Sequence, residues 1–179
     1  MKYPIEEKLP YLWLSFLVLV IFYGIYFTKM LVQRRHGILT RQIGRVKEKS
    51  VHTVEQLMSI ATFAAPIIQT LSILFGWNHM PENVRFTGFG IGILGDLIFL
   101  ISVLCMKDSW RAGIPDKDRT ELITSGIYRY SRNPAFLGFD FMYVGLLLMY
   151  FNLSMVAVSA FAIIMLHLQI LQEERYLTE

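Results

Sequence analysis

The chain has 179 residues, 54% of them hydrophobic and only 17% charged, with a formal net charge of +3 and a mean hydropathy of +0.45. A soluble domain of this length carries about a quarter charged residues, so this balance argues against an ordinary water-soluble fold and for one membrane-embedded domain over residues 1–179. The lone cysteine, Cys105, excludes a disulfide framework within the chain.

A helix needs roughly 20 apolar residues to cross a bilayer's hydrocarbon core. In chain order, the apolar runs over residues 11–31, 54–75, 84–106, 134–151 and 153–171 are the candidates. The first run is too long, and lacks the small-residue site, for a cleavable signal peptide, so it reads as a retained span. Only Asn152 separates the last two runs, which predicts a tight helical hairpin with one short member. Backbone groups in lipid must be satisfied internally, which requires helices. The expected class is therefore all-α, a polytopic membrane protein of about five transmembrane helices with a C-terminal hairpin.

Basic residues then orient the spans. Arg34, Arg35, Arg41, Arg45, Lys47 and Lys49 follow the first run, and Lys107, Arg111, Lys117, Arg119, Arg129 and Arg132 follow the third. The connection between the second and third runs carries only Arg85, and the hairpin turn carries none. The positive-inside tendency places both basic loops in the cytoplasm, with the N-terminus outside and the C-terminus inside. The third loop and the C-terminal tail then share one membrane face, where chemistry could assemble. Residues 37–54 read either as an interfacial helix on anionic lipid or as a solvated loop.

Gly90, Gly92 and Gly95 spell a dinucleotide-like G-x-G-x-x-G, but a nucleotide site needs that pattern between a strand and a helix. Inside an apolar run, with Gly88 and Gly92 spaced G-x-x-x-G, these glycines predict close helix packing instead. Asp96 beside them is a mid-span charge, either functional or hydrogen-bonded to a neighbouring helix.

The stretch 120–138, together with 169–177, concentrates the chemistry. Ser125 and Gly126 break the chain, and Tyr128, Arg129, Tyr130 and Arg132 crowd a membrane boundary. Pro134 suits the first turn of a helix, which puts Asn133 at its N-cap beside free backbone donors. Helix N-terminus, arginines and aromatic walls make a plausible anion site. At the far end, helical spacing stacks Gln169 over Glu173 and aligns His167 with Glu174. Taken singly, the tyrosines and arginines are equally ordinary interfacial anchors, the twin acids a solvated helix exit, and His167 a polar group satisfied between helices.

Leu122-Ile-Thr-Ser-Gly-Ile-Tyr128, then Arg132-Asn-Pro-Ala-Phe-Leu-Gly138, then Glu173-Glu174-x-x-Leu177 resembles the isoprenylcysteine carboxyl methyltransferase and phospholipid methyltransferase superfamily. Its usual pattern is L-V-T-x-G-P-Y-R-Y-x-R-H-P-x-Y-x-G, a helical hairpin, then E-E-x-x-L. The stretch 108–114 is similar to the lead-in of bacterial members. The resemblance implies a bacterial integral membrane methyltransferase in the cytoplasmic membrane, with N-terminal spans over 1–83 and a methyltransferase core over 84–179. It implies S-adenosylmethionine as cofactor, held on the cytoplasmic side, and a lipophilic or lipid acceptor entering from the membrane. Neither a metal nor a nucleic-acid partner is expected. By position, the cofactor pocket would take Thr120, Glu121, Leu122, Ile123, Tyr128, Arg132, Asn133, Pro134, Phe136 and Glu173.

The chain departs from the pattern at three places. Asn133 stands for the usual histidine, a version common in bacterial homologues, and Phe136 lacks the tyrosine hydroxyl. Gln169 stands where prenylcysteine methyltransferases hold the substrate carboxylate with an arginine, which counts against a carboxylate acceptor. An amine or thiol acceptor must lose a proton, and Glu174 or His167 is placed to accept it. Gln169, His167 and Glu174 are thus the candidate catalytic residues. Two other readings stand beside this one. Sterol reductases resemble this C-terminal fold and bind NADPH, although their motif has aspartate directly after the final glycine, where Phe139 here precedes Asp140. A non-catalytic membrane scaffold would also tolerate the three departures.

Overall fold

A computed structural model describes residues 5–41, 49–76, 78–111 and 123–178. Five helices carry the fold: α1 (Ile5–Arg35), α2 (Lys49–Phe75), α3 (Glu82–Met106), α4 (Pro134–Met149) and α5 (Leu153–Thr178). Among the described residues there is no strand. Each helix but α4 contains its expected apolar run, and α1, α2 and α5 continue several residues into polar flanks. Hydropathy marks only the lipid-matched part of a helix, whereas backbone hydrogen bonding continues until a residue stops it.

Those stops are local. Gly37, at φ +73°, ends α1: Ile38 N–H donates to Gln33 O at 2.9 Å and Gly37 N–H to Arg34 O at 3.1 Å, the paired bonds of a glycine C-cap. Gly76, at φ +63°, ends α2 in the same left-handed conformation. The α4–α5 turn runs from Tyr150 to Asn152. There the Asn152 amide accepts from Met155 N–H at 3.0 Å and donates to Tyr150 O at 3.1 Å, capping α5.

Four helices have the length and apolarity to cross a bilayer. The exception is α4, whose 16 residues end at Met149 rather than at 151. At 1.5 Å per residue it spans about 24 Å, short of a core of roughly 30 Å. This is the short member that the hairpin reading called for.

Helices α3 and α4 run antiparallel, backbone against backbone. A Cβ placed on Gly145 would stand 2.5 Å from Gly92 N, and one on Gly95 would stand 2.7 Å from Met142 N. Gly88 and Gly138 are equally confined, whereas Gly90 faces open space. The packing reading therefore holds for Gly88, Gly92 and Gly95 and not for Gly90. Asp96 is buried beside this seam, and neither carboxyl oxygen has a hydrogen-bond partner among the described residues. The interhelical hydrogen bond considered for it is not made.

Around the seam, Phe22 of α1 stacks on Phe99 of α3 at 4.5 Å and meets Phe139 of α4 edge-on at 4.6 Å. Arg85, assigned from sequence to a connection, lies inside α3. Its Nε donates to Met149 O at 3.0 Å and its guanidinium sits 4.0 Å over the Tyr11 ring. A cation on the last carbonyls of α4 complements that helix's negative end.

At the opposite end of the bundle, buried Gln33 of α1 donates to Trp110 O at 3.0 Å. Lys29 pairs with Asp108 at 3.9 Å. These contacts put the exits of α1 and α3, where both basic loops begin, at the same end. Residues 42–48, most of the first basic loop, lie outside the described residues; of the rest of the 37–54 stretch, 37–41 follow the end of α1 and 49–54 open α2.

Candidate active site

The third loop returns to the bundle at Ile123, and a single 3-10 turn, Gly126–Arg129, packs on the end of α3. Gly126 takes φ +63°, and a Cβ there would stand 2.9 Å from Cys105 Sγ, so the turn needs both the conformation and the missing side chain. The turn half-buries Tyr128. Burial first, then the neighbouring Cys105 and Glu173, raise the Tyr128 phenol well above its ordinary range, so it stays a neutral donor.

Asn133 takes the N-cap position of α4 with Pro134 behind it. The amide makes no capping hydrogen bond, although the cap reading had it serving those donors. Its side chain is half-buried, and its backbone N–H donates to Ser131 Oγ at 3.3 Å. Pro134 is buried, and Phe136 packs against the apolar core. A residue at 136 with no hydroxyl thus has apolar surroundings to match.

The C-terminal end of α5 reaches the same corner. Arg132 Nη1 lies 3.8 Å from Glu174 Oε1, joining residues 42 positions apart in the chain. Glu173 points away from that pair, toward α2. It accepts from Gln169 Nε2 at 3.2 Å, and it lies within electrostatic reach of both Tyr128 and Glu55. Gln169 is fully buried, and its Oε1 has no partner among the described residues. Deeper along α4 and α5, His167 Nε2 stands 3.8 Å from Asp140 Oδ2.

Two faces of α5 therefore separate the candidates. Gln169 and Glu173 bond to each other, with Glu173 near Glu55 of α2 and Tyr128 of the 3-10 turn, while His167 meets Asp140 of α4 and Glu174 meets Arg132 just before it. Ile123 is half-buried beside the turn, and Thr120, Glu121 and Leu122 lie outside the described residues. His167 is 57% exposed at its side chain, not satisfied between helices. The sequence reading missed two acids. Glu55 is fully buried on α2, and Asp140 faces His167. Both are acids inside apolar helical runs, a pattern that by itself marks functional candidates.

The fold and this corner define an all-α polytopic membrane protein whose polar side chains gather where α4 begins and α5 ends. The model of the isoprenylcysteine carboxyl methyltransferase family matches residues 88–179, and the chain belongs to that family. It is a membrane methyltransferase on that ground. The matched region starts in the α3 glycine seam and leaves α1 and α2 outside. No curated protein and no solved structure gives a significant match.

Proposed function

We propose that the protein transfers a methyl group from S-adenosylmethionine to a lipophilic acceptor taken from the membrane. The observation that carries this reading is the meeting of the Arg132–Pro134 corner with the Glu173–Glu174 end of α5, at 3.8 Å between Arg132 and Glu174. Members of this family generally use S-adenosylmethionine, which when bound supplies a methyl group activated on a sulfonium.

The residues present fit such a ligand. Its ammonium and sulfonium are cationic, and the corner offers hydrogen-bond acceptors: the Glu173 carboxylate and the unpartnered, buried Oε1 of Gln169. An unmatched buried acceptor costs about 1–3 kcal/mol, which a cationic donor would relieve. Tyr128 stays protonated and offers a hydroxyl beside them. Arg132 and the free N–H groups at the start of α4 suit the ligand's carboxylate. Holding an acceptor at near-attack distance supplies much of the rate, and the apolar walls exclude water. In the membrane, the basic loops and this corner would face the cytoplasm, with the N-terminus outside.

The test is calorimetric titration of the purified protein in nanodiscs with S-adenosylmethionine, S-adenosylhomocysteine and NADPH. Binding of the first two and not of NADPH is expected. Binding of NADPH alone would overturn the reading in favour of a reductase, and binding of none would leave a scaffold.

A further inference from the structure

His167 stands on the outward face of α5 among Ile164, Leu168 and Leu171, all exposed. In a spanning helix that face meets lipid, where an ionisable side chain is costly and marks a functional candidate. It lies seven residues, about 10 Å of helix, deeper than Glu174. Nδ1 of the ring lies 3.0 Å from Ile163 O. A carbonyl only accepts, so Nδ1 carries a hydrogen, and in a neutral ring Nε2 is the nitrogen with the lone pair. That Nε2 faces Asp140 Oδ2 at 3.8 Å. The other oxygen, Asp140 Oδ1, is buried with no hydrogen-bond partner among the described residues. Inward of Asp140, the buried hydroxyls of Tyr143 and Tyr23 lie against one another, and Tyr26 adjoins them. A file of polar groups thus runs from the lipid-facing surface of α5 through α4 to α1, with the Asp140 oxygen left unsatisfied within it among the described residues.

We infer that the lipid-facing surface between α4 and α5 is the acceptor site, that His167 Nε2 takes a proton from the acceptor, and that Asp140 is a positioning residue whose charge stabilises the imidazolium once it forms. This rests on the methyltransferase reading and adds the acceptor's class: a lipid-partitioned nucleophile that must shed a proton, a thiol or an amine, rather than a carboxylate. A carboxylate is already ionised at neutral pH and has no use for a base. Here it would also meet the like charge of Asp140.

The balance is simple. The acceptor's S–H or N–H bond breaks, and its proton goes to Nε2. The freed electron pair forms the new bond to the methyl carbon. The carbon–sulfur bond of the donor breaks, and its pair neutralises the sulfonium. The imidazolium then returns its proton to water at the membrane boundary.

The test uses the full chain in nanodiscs, labelled S-adenosylmethionine, and three acceptors of equal tail: decanethiol, decylamine and decanoate. Transfer to the thiol or amine should exceed transfer to decanoate by at least about tenfold. H167Q should lower kcat by about a hundredfold while the calorimetric Kd for S-adenosylmethionine stays unchanged. H167A should regain activity on addition of imidazole, which a merely structural role would not allow. D140N should lower kcat by about tenfold, and D140E should recover part of it. Decyl methyl sulfide should protect His167 from diethylpyrocarbonate, read by mass spectrometry without turnover. Preference for decanoate, wild-type kcat in H167Q, or absence of protection would overturn the inference while leaving the methyltransferase reading intact. Failure of the wild type to bind S-adenosylmethionine would overturn both.

Discussion

The two sides of α4 follow opposite rules. Toward α3, glycines interlock so tightly that no Cβ fits, and the seam continues into ring stacking among Phe22, Phe99 and Phe139. Toward α5, an acid meets a histidine at 3.8 Å, an oxygen stays unpaired, and the surface opens to lipid. In lipid, helix association draws on close van der Waals contact, so the first side is what holds α4, a helix too short to anchor itself. Once α4 is fixed against α3, its other side is free to carry polar groups that contribute nothing to packing. Stability and chemistry are thereby assigned to different faces of one helix.

The largest expected effect comes from breaking the seam. Gly145→Leu would drive a side chain into Gly88 O and Gly92 N, each within 2.7 Å of a bare Cβ. Neither backbone can retreat without separating the helices. A loss of at least about 3 kcal/mol is expected, read as a collapse of the thermal transition in detergent. A Gly145→Leu protein that folds normally would show that the seam is not what holds α4.

Next, Glu173→Ala should abolish measurable S-adenosylmethionine binding by calorimetry while leaving the thermal transition close to wild type. An unchanged Kd would remove Glu173 from the site and leave the α5 end as ordinary surface. A smaller change is expected for Arg132→Ala. Its partner contact is largely exposed, 81% on the arginine side, and exposed pairs contribute about 1 kcal/mol at most. Because solvent screens an exposed guanidinium, its hold on the ligand's carboxylate should be worth no more than about fivefold in Kd; a loss of a hundredfold would mean the bound ligand buries it.

The smallest effects are controls on either side. Gly90→Ala adds a methyl to open space and should leave folding unchanged or improve it by up to about 1 kcal/mol. It isolates the seam, because Gly90 lies two residues from Gly92 in the same run. Arg41→Ala, in the first basic loop and in contact with Ser59, should leave the cofactor Kd nearly unaltered.

Much of this was legible in the residues. The spans could be read because lipid imposes a length and a composition on any helix that crosses it. The glycines could be read as packing because their context was apolar. The α4 corner was legible through Pro134, which fixes where a helix starts, and the twin acids through the family pattern. Glu55 was missed because it lies outside that pattern, on a helix that meets Glu173 only after α2 and α5 pack antiparallel. Asp140 was noted only as an interruption of a motif, since nothing in the chain tells which residue of α5 it will face.

By itself, then, the sequence determined the number, type and approximate limits of the helices, a short member in the C-terminal hairpin, and the family. These depend on each residue's own preference for lipid or water, or on its immediate neighbours. Only the tertiary structure decided which face of α5 turns to α2 and which to α4. It thereby set Glu173 beside Gln169 and Glu55, and His167 beside Asp140. Pairings of that kind depend on the rotation and register of packed helices, which arise from summed contacts along whole interfaces and from no local run of residues.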